Sequence, residues 1–135
     1  MTRFATVILV DPRGWLLLQE RDEHAPIAPE QWGLVGGHVE DGEEFEPAAH
    51  RELAEETGLS AELTYWRTFR VHDEQDDMAV YVAATTCTDA DVVCGEGRQI
   101  VFVDPAAVMD LPLADAPRIV VPQFLESGEY ARLVP

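Results

Sequence analysis

Three glutamates, Glu52, Glu55 and Glu56, lie within one short segment of the chain. The surrounding residues 45–57 have helix-forming composition, and Gly58 follows as a left-handed cap, so we expect a helix there. At about 100° per residue, Glu52 and Glu56 lie on the side that small apolar residues mark as packed, with Glu55 at its margin. Like charges four residues apart repel each other, and more strongly where water is partly excluded. The spacing therefore predicts a cation beside these carboxylates.

That cation is either a side chain or a metal ion. Arg51 can pair with Glu55 and with Glu43, but we expect it to point away from Glu52 and Glu56. Hard divalent cations prefer oxygen ligands, and Mg²⁺ commonly takes one or two carboxylates together with water and phosphate oxygens. The alternative is a solvated acidic helix face. The spacing, together with a preceding pair of glycines, favours the metal site.

The whole segment 37–59 reads GHVEDGEEFEPAAHRELAEETGL. It contains Gly, five residues, Glu, seven residues, Arg-Glu-aliphatic, one residue, Glu-Glu, one residue and Gly-aliphatic. This pattern resembles the signature of the Nudix hydrolases, and so many set identities make the match specific. The chain departs from the family at Val35, where many members have Pro directly before the glycine pair.

The resemblance implies a metal-dependent hydrolase with Mg²⁺ or Mn²⁺, two or more ions, as cofactor. It implies that the carboxylates of Glu52, Glu55 and Glu56 bind the ions, together with the backbone carbonyl of Gly36. It also implies that Glu43 and Arg51 orient these ligands. Family members hydrolyse a nucleoside diphosphate linked to another group, with water attacking phosphorus.

The resemblance leaves two alternatives for the base that takes the proton of the attacking water. In some members it is the helix glutamate equivalent to Glu52, and in others it is a glutamate on a later loop. Glu96 is the best candidate for that later glutamate, as the base or as an extra metal ligand. Because Gly95 and Gly97 flank it, an ordinary turn glutamate in solvent is the alternative.

Composition narrows the class of partner. The 135 residues suit one domain, 1–135, and the net charge of −17 argues against a nucleic-acid polymer or an anionic membrane as partner. All nine basic residues are Arg, so a phosphate-bearing substrate must be held by metal ions and a few Arg side chains. We find neither a signal peptide nor a membrane-spanning segment, and we expect a cytoplasmic protein. The expected partner is a small-molecule nucleotide, with a homodimer as an option.

The order of predicted elements supports a mixed sheet covered by helices on both faces, which matches the α/β/α sandwich of the Nudix fold. A Pro-containing loop, residues 20–31, is long enough to be a substrate-gating element. We expect a short C-terminal helix that begins at 122–126 and ends at Gly128. The predicted strands cover residues 4–10, 15–19, 32–39, 63–71, 78–85 and 99–103.

Substrate choice rests on less evidence. The submotifs typical of ADP-ribose or dinucleoside polyphosphate hydrolases are absent, since Gln75, Asp76 and Asp77 occupy their region. The short chain therefore looks most like the MutT-type pyrophosphohydrolases that act on nucleoside triphosphates. A nucleotide-sugar or ADP-ribose pyrophosphatase is one alternative, and a non-catalytic nucleotide sensor is another.

The substrate contacts that we expect come from four side chains. Arg21 is the most plausible residue to bind phosphate, with Arg98 and Arg70 as weaker candidates. The candidates for base contacts are Trp32, Leu34 and Asp115. Core packing is the alternative for Trp32 and Leu34. We expect the four histidines to be surface or loop residues: His24, His38, His50 and His72.

Overall fold

The computed structural model describes residues 2–26 and 28–135. Its strands are β1 (Arg3–Val10), β2 (Leu16–Glu20), β3 (Trp32–Gly33), β4 (Val35–His38), β5 (Thr64–Val71), β6 (Asp76–Ala84) and β7 (Gln99–Val103). Its helices are α1 (Phe45–Thr57), α2 (Pro105–Val108), α3 (Asp115–Leu125) and α4 (Gly128–Leu133), and a short 3-10 turn covers Asp89–Asp91. None of the helices in these two ranges has the length and apolar character needed to cross a bilayer.

The strands form one mixed sheet. Its main path runs β3-β2-β1-β6-β5, while β4 pairs with β1 and β7 pairs with β2. Strands β1 and β6 are parallel, and the other pairs are antiparallel. The central strand β1 is therefore hydrogen-bonded to β4 on one side and to β6 along its whole length on the other.

Alternate side chains of β2 belong to two different cores, as the twofold period of a strand requires. Leu16 and Leu18 point into a core that α3 covers, with Val120, Val121 and Phe124 among its residues. Leu17 points into the opposite core, which α1 covers through Ala48, Ala49 and Leu53. Helices thus cover both faces of the sheet, and the predicted α/β/α architecture is confirmed.

Helix α1 has the predicted boundaries. It runs from Phe45 to Thr57, and Gly58 ends it in the left-handed conformation with φ 73°. Its buried side is formed by Ala48, Ala49, Leu53 and Thr57 together with Glu56. A carboxylate therefore lies on the packed side of the helix, as the spacing indicated.

The single strand predicted over residues 32–39 is in fact two strands. Trp32 and Gly33 pair with β2, whereas Val35 to His38 pair with β1. The chain crosses from one partner strand to the other at Leu34. Hydropathy could not show this, because both halves are apolar and the change of partner is a tertiary event.

The C-terminal prediction was wrong in its boundaries. Helix α3 already begins at Asp115 and contains Pro122, and Gly128 begins α4 instead of ending a helix, with Ser127 as its N-cap. A proline inside a helix removes one backbone hydrogen bond and is normally unfavourable. Here the helix buries Val120, Val121 and Phe124, and this packing offsets the loss.

The Phe124 ring anchors this C-terminal layer. It is fully buried and packs at centroid distances of 5.2 Å from Trp66 and 5.4 Å from Tyr130. We expect Phe124→Ala to lower the free energy of unfolding by about 3–5 kcal/mol, because it leaves a cavity between α3, α4 and the sheet. Ile119→Ala, on the same helix at 46% exposure, is the matched control and should cost less than about 1 kcal/mol. Urea denaturation of both variants checks this, and equal losses would contradict the assigned packing.

Candidate functional site

A cavity of about 500 Å³ opens where the second half of α1, strands β1, β2 and β4, and the loop 21–31 meet. Its size is typical of small-molecule sites. Seven of the residues singled out in the sequence line it: Arg21, Leu34, Gly36, Glu52, Glu56, Glu96 and Asp115. The loop contributes Pro26, Ala28 and Gln31. The chain thus gathers acidic, basic and apolar groups around one space.

The Glu52 carboxylate lies directly against strand β4. A Cβ atom built on Gly37 would come within 2.6 Å of that carboxylate, so only glycine allows this approach. Gly37 is held in place by its pairing with Ala5 of β1. The glycine of the motif therefore makes room for the carboxylate that the helix presents.

Arg51, which does not line the cavity, connects Glu52 of the cavity wall with Glu43 and Glu55 outside it. Its guanidinium donates to both oxygens of Glu43 at 2.8 and 2.9 Å, to Glu52 Oε1 at 2.9 Å and to Glu55 Oε2 at 3.2 Å. A further bond to the His38 carbonyl at 3.0 Å places the guanidinium over the end of β4. The hydrogen bond from Arg51 is the main cause that lowers the pKa of Glu43 to about 2.

This arrangement corrects one expectation. Arg51 does not point away from Glu52, although adjacent positions on a helix face different directions. The long Arg side chain reaches over β4, where the Glu52 carboxylate also lies, and the two meet there. For Glu56 the expectation agrees with the structure, because the described salt bridges of Arg51 go to Glu40, Glu43, Glu52 and Glu55.

Glu56 is the most deeply placed carboxylate of the site, at 9% exposure. Its Oε2 accepts a hydrogen bond of 3.0 Å from the side-chain amide of Gln19. Burial raises the pKa of Glu56 to about 8, and the charges of Glu52 and Glu96 contribute in the same direction. Around neutral pH this carboxyl therefore retains its proton.

Arg21 approaches the cavity from the end of β2. Its Nε is buried and has no hydrogen-bond partner in the described part of the chain. A Cβ atom on Gly33 would lie 3.6 Å from this nitrogen, so the guanidinium packs over the glycine of β3. An unsatisfied buried N–H is unfavourable, and a bound anion would satisfy it.

Glu96 belongs to an exposed turn and lies among the residues that line the cavity. Its backbone carbonyl accepts a hydrogen bond of 2.9 Å from Gln19, the residue that also bonds Glu56. The structure therefore brings the Glu96 turn next to Glu56. Whether Glu96 acts as ligand or base stays a prediction.

Four of the predicted site residues do not line the cavity. Arg51 contacts Glu52 from outside the cavity together with its partners Glu43 and Glu55. The Glu55 side chain is exposed. Trp32 is buried in the core that α3 covers, so the core-packing alternative describes its position. Asp115 does lie at the rim, but its side chain is 90% exposed.

Two histidines and a phenylalanine line the cavity and were missed. Phe4 packs against His38 at 4.6 Å and against His72 at 5.5 Å between ring centroids. Both histidines are exposed, as expected, but the sequence did not indicate that they line the cavity. The motif placed His38 directly after the glycine pair, but no spacing linked His72 to it, since the two meet only through Phe4 on β1.

His72 begins a turn with an unusual backbone. His72, Asp73 and Glu74 have φ values of 54°, 58° and 63°. Such conformations are unfavourable for residues other than glycine, and they concentrate at functional sites. The His72 Nδ1 also lies 2.7 Å from Asp76 Oδ2, which holds the ring in place. Gln75, Asp76 and Asp77 themselves do not line the cavity.

The two weaker phosphate candidates are engaged elsewhere. Arg98 forms salt bridges with Glu20, Glu23 and Glu30. Arg70 pairs with Asp77 at 3.0 Å. Neither lines the cavity, so Arg21 is the Arg that the structure places there.

The cavity carboxylates fit a divalent cation in chemical kind. Glu52, Glu56 and Glu96 provide oxygen donors on the walls of one cavity, and hard cations prefer such donors. Burial, together with the charges of Glu52 and Glu96, raises the pKa of Glu56, so a cation bound nearby would favour its ionised form. Within residues 2–26 and 28–135, however, no three acidic, His or Cys side chains already converge as a cation site. The carboxylates would have to draw together on binding.

Comparison with known proteins agrees with this geometry. The family model described as NUDIX domain matches residues 2–124. The chain is 45% identical over 58 residues to an RNA pyrophosphohydrolase of Novosphingobium aromaticivorans, a match that covers 42% of this chain and 34% of that protein. It is 40% identical over 65 residues to the nucleoside triphosphatase NudI of Salmonella agona, covering 46% of this chain and 45% of that protein.

A likeness in structure covers more of the chain. The crystal structure of a MutT NUDIX hydrolase from Burkholderia pseudomallei matches with a TM-score of 0.74 and 26% identity, over 90% of this chain and 96% of that one. The matches to the two curated relatives, in contrast, span less than half of their length.

The burial of Glu56 predicts a pH dependence of stability. Its carboxyl ionises near 4.5 in the unfolded chain and near 8 in the folded one. Between these values the folded state binds one more proton, so stability falls as pH rises and levels off above about pH 8. For a single proton the slope is at most about 1.4 kcal/mol per pH unit.

We therefore expect the free energy of unfolding, measured with EDTA present between pH 5 and 8, to fall more steeply in the unsubstituted chain than in Glu56→Gln. Glu46→Gln makes the same substitution at an exposed position of α1 and should keep the steep fall. Parallel curves for all three proteins would contradict the raised pKa.

Proposed function

The chain belongs to the NUDIX domain family, and on that basis we propose that it is a metal-dependent pyrophosphohydrolase of MutT type. Its substrate would be a nucleoside triphosphate, cleaved to the monophosphate and pyrophosphate. One observation carries the proposal. The same cavity holds the carboxylates of Glu52 and Glu56, the buried Nε of Arg21, which lacks a partner among residues 2–26 and 28–135, and an aromatic wall built on Phe4.

These groups suit the parts of a nucleotide. The phosphates would lie between Arg21 and the carboxylate side, because a guanidinium recognises phosphate oxygens by directed hydrogen bonds. The base would lie along Phe4 and His72 with Leu34 and Met78 nearby, since aromatic faces stack on any nucleobase. The loop 21–31 would cover the substrate, and its Pro26, Ala28 and Gln31 already line the space.

Glu52, Glu56 and Glu96 would hold Mg²⁺ or Mn²⁺. When bound, the ion would lower the pKa of a water molecule and neutralise charge that develops on the phosphoryl oxygens. Glu52 or Glu96 would take the proton of the attacking water. Arg51, fixed by Glu43, would keep the Glu52 carboxylate at the wall of the cavity. No covalent nucleophile is required for this reaction.

The first test removes one carboxylate of the cavity. We expect Glu56→Gln to lower kcat by about a thousandfold or more. Loss of one ligand of the ion should reduce the stabilisation of the transition state by several kcal/mol, which corresponds to that factor. Saturating Mg²⁺, at about one hundred times its Kd, should stabilise the unsubstituted chain by about 2.7 kcal/mol. Glu56→Gln should lose most of this gain.

Glu46→Gln serves again as the matched control, since it makes the same substitution on the same helix at an exposed position. It should keep both the activity and the rise in Tm with Mg²⁺. Full activity of Glu56→Gln in EDTA, or an equal rise in Tm for all three proteins, would reject the metal site.

The second test identifies the substrate. Nucleoside triphosphates, modified deoxynucleoside triphosphates, ADP-ribose, nucleotide-sugars, dinucleoside polyphosphates and an RNA carrying a 5′-triphosphate are incubated with the chain and Mg²⁺. We expect the free triphosphates to be hydrolysed to monophosphate and pyrophosphate. Their kcat/KM should be at least tenfold above that for hydrolysis of the other compounds. The net charge of −17 repels a nucleic-acid backbone, which places the RNA low in this order.

Three results would change the assignment. Faster hydrolysis of ADP-ribose or a nucleotide-sugar than of every triphosphate would make the chain a diphosphate-compound pyrophosphatase. Faster hydrolysis of the RNA would favour the activity for which the Novosphingobium relative is named, despite the repulsion. Binding of a nucleotide without any hydrolysis would point to a sensor.

A further inference from the structure

Gln19 is a buried amide in an otherwise apolar strand. It follows three leucines in β2 and is only 4% exposed. Burying an amide is unfavourable unless its polar atoms find partners. The same position could hold another aliphatic residue without that cost, so the partners of Gln19 show what the amide does.

Both partners of the Gln19 amide nitrogen belong to the candidate site. Nε2 donates to Glu56 Oε2 at 3.0 Å and to the Glu96 carbonyl oxygen at 2.9 Å. An amide nitrogen carries two hydrogens, so one side chain can make both bonds at once. Glu56 is 37 residues away in the sequence and Glu96 is 77 residues away. Gln19 therefore links two segments that lie far from it and from each other in the sequence.

The backbone of Gln19 lies in the interior of the sheet, which fixes the position of its side chain. It pairs with Gly33 of β3 on one side and with Ile100 of β7 on the other. Its side chain lies on the same face of the sheet as Leu17, the face that α1 covers. A group mounted on a strand with neighbours on both sides positions its contacts more precisely than a group on a loop.

The turn that carries Glu96 packs against the same neighbours. Gly95 N donates to the Glu56 carbonyl at 2.9 Å, and a Cβ atom on Gly95 would come within 2.7 Å of the Glu55 carbonyl. Arg98 N donates to the Glu20 carbonyl at 2.9 Å. The turn is thus bonded at one end to α1 and at the other to β2. Gln19 adds the side-chain bond between these two anchors.

We propose that Gln19 is a positioning residue, whose amide holds the Glu56 carboxylate and the Glu96 turn together as one unit of the active site. The inference rests on the proposed hydrolase function and adds a residue to it. A neutral amide suits the task, because it orients Glu56 without supplying a positive charge that would compete with a cation for the carboxylate.

Gln19→Met tests the proposal, because Met has a similar length and adapts to buried sites but cannot donate these bonds. Three measurements are made. Hydrogen exchange of the backbone amides in residues 94–98 should become about tenfold faster, since the turn loses one of its anchors. The Kd for Mn²⁺, titrated without nucleotide, should rise by about tenfold, and kcat on the best triphosphate should fall by about 10–100-fold with KM within about threefold.

Gln99→Met is the matched control. Gln99 lies opposite Glu20 on β7 and donates to its carboxylate at 2.9 Å, but it lies at the surface and does not line the cavity. The same substitution there should leave exchange in residues 94–98, the Kd for Mn²⁺ and kcat within about twofold of the unsubstituted chain. Gln19→Asn keeps the amide but is one methylene shorter, so it should shift all three quantities in the direction of Gln19→Met.

The proposal is overturned if a folded Gln19→Met or Gln19→Asn keeps all three quantities within about twofold, or if Gln99→Met loses as much as Gln19→Met. Hydrogen exchange needs neither metal nor substrate. A chain that hydrolyses no compound of the substrate panel would therefore reject the proposed function, while exchange in residues 94–98 would still decide whether Gln19 holds the turn.

Discussion

The arrangement of this site depends on one unfavourable interaction, the approach of the Glu52 and Glu56 carboxylates on the packed side of α1. Both side chains face a cavity from which water is partly excluded, where repulsion between two ionised carboxylates would be stronger than at a surface. The fold stabilises the two carboxyl groups in different ways. Glu52 is neutralised by Arg51, whereas Glu56 receives a neutral amide and keeps a pKa near 8. The site therefore has too little positive charge to compensate both carboxylates when they are ionised. A cation or a substrate complex can supply that charge.

The sheet makes this arrangement possible by providing fixed neighbours for the helix. Strand β1 pairs with β4 and thereby holds Gly37 where the Glu52 carboxylate needs room. Strand β2 pairs with β3 and β7 and presents Gln19, and directly after its end Arg21, toward the same space. Both contributions depend on backbone hydrogen bonds with strands outside the motif segment. The helix supplies charged groups, and the sheet determines the distances between them.

The aromatic part of the cavity lining differs in chemical character from the carboxylate part. Phe4, His38 and His72 form an aromatic wall, and the strained turn 72–74 holds one of its rings in place. A ligand with a charged end and a flat ring would therefore enter in a single orientation. The loop 21–31 contributes to the enclosure, and Arg98 ties its acidic residues Glu23 and Glu30 to the start of β7.

The sequence by itself determined helix α1, its cap at Gly58, the mixed sheet and the identity of the motif carboxylates, because these depend on local propensity, periodicity and spacing. It also indicated Arg21 and Glu96, which line the cavity. Only the tertiary structure decided that Arg51 reaches Glu52, that Trp32 belongs to the core, and that Gln19, Phe4 and His72 belong to the cavity. These contacts join strands and turns that lie up to 77 residues apart in the chain, and no pattern along the sequence records such a meeting. The C-terminal helix was misplaced for the same reason, since burial of Phe124 outweighs the local cost of Pro122.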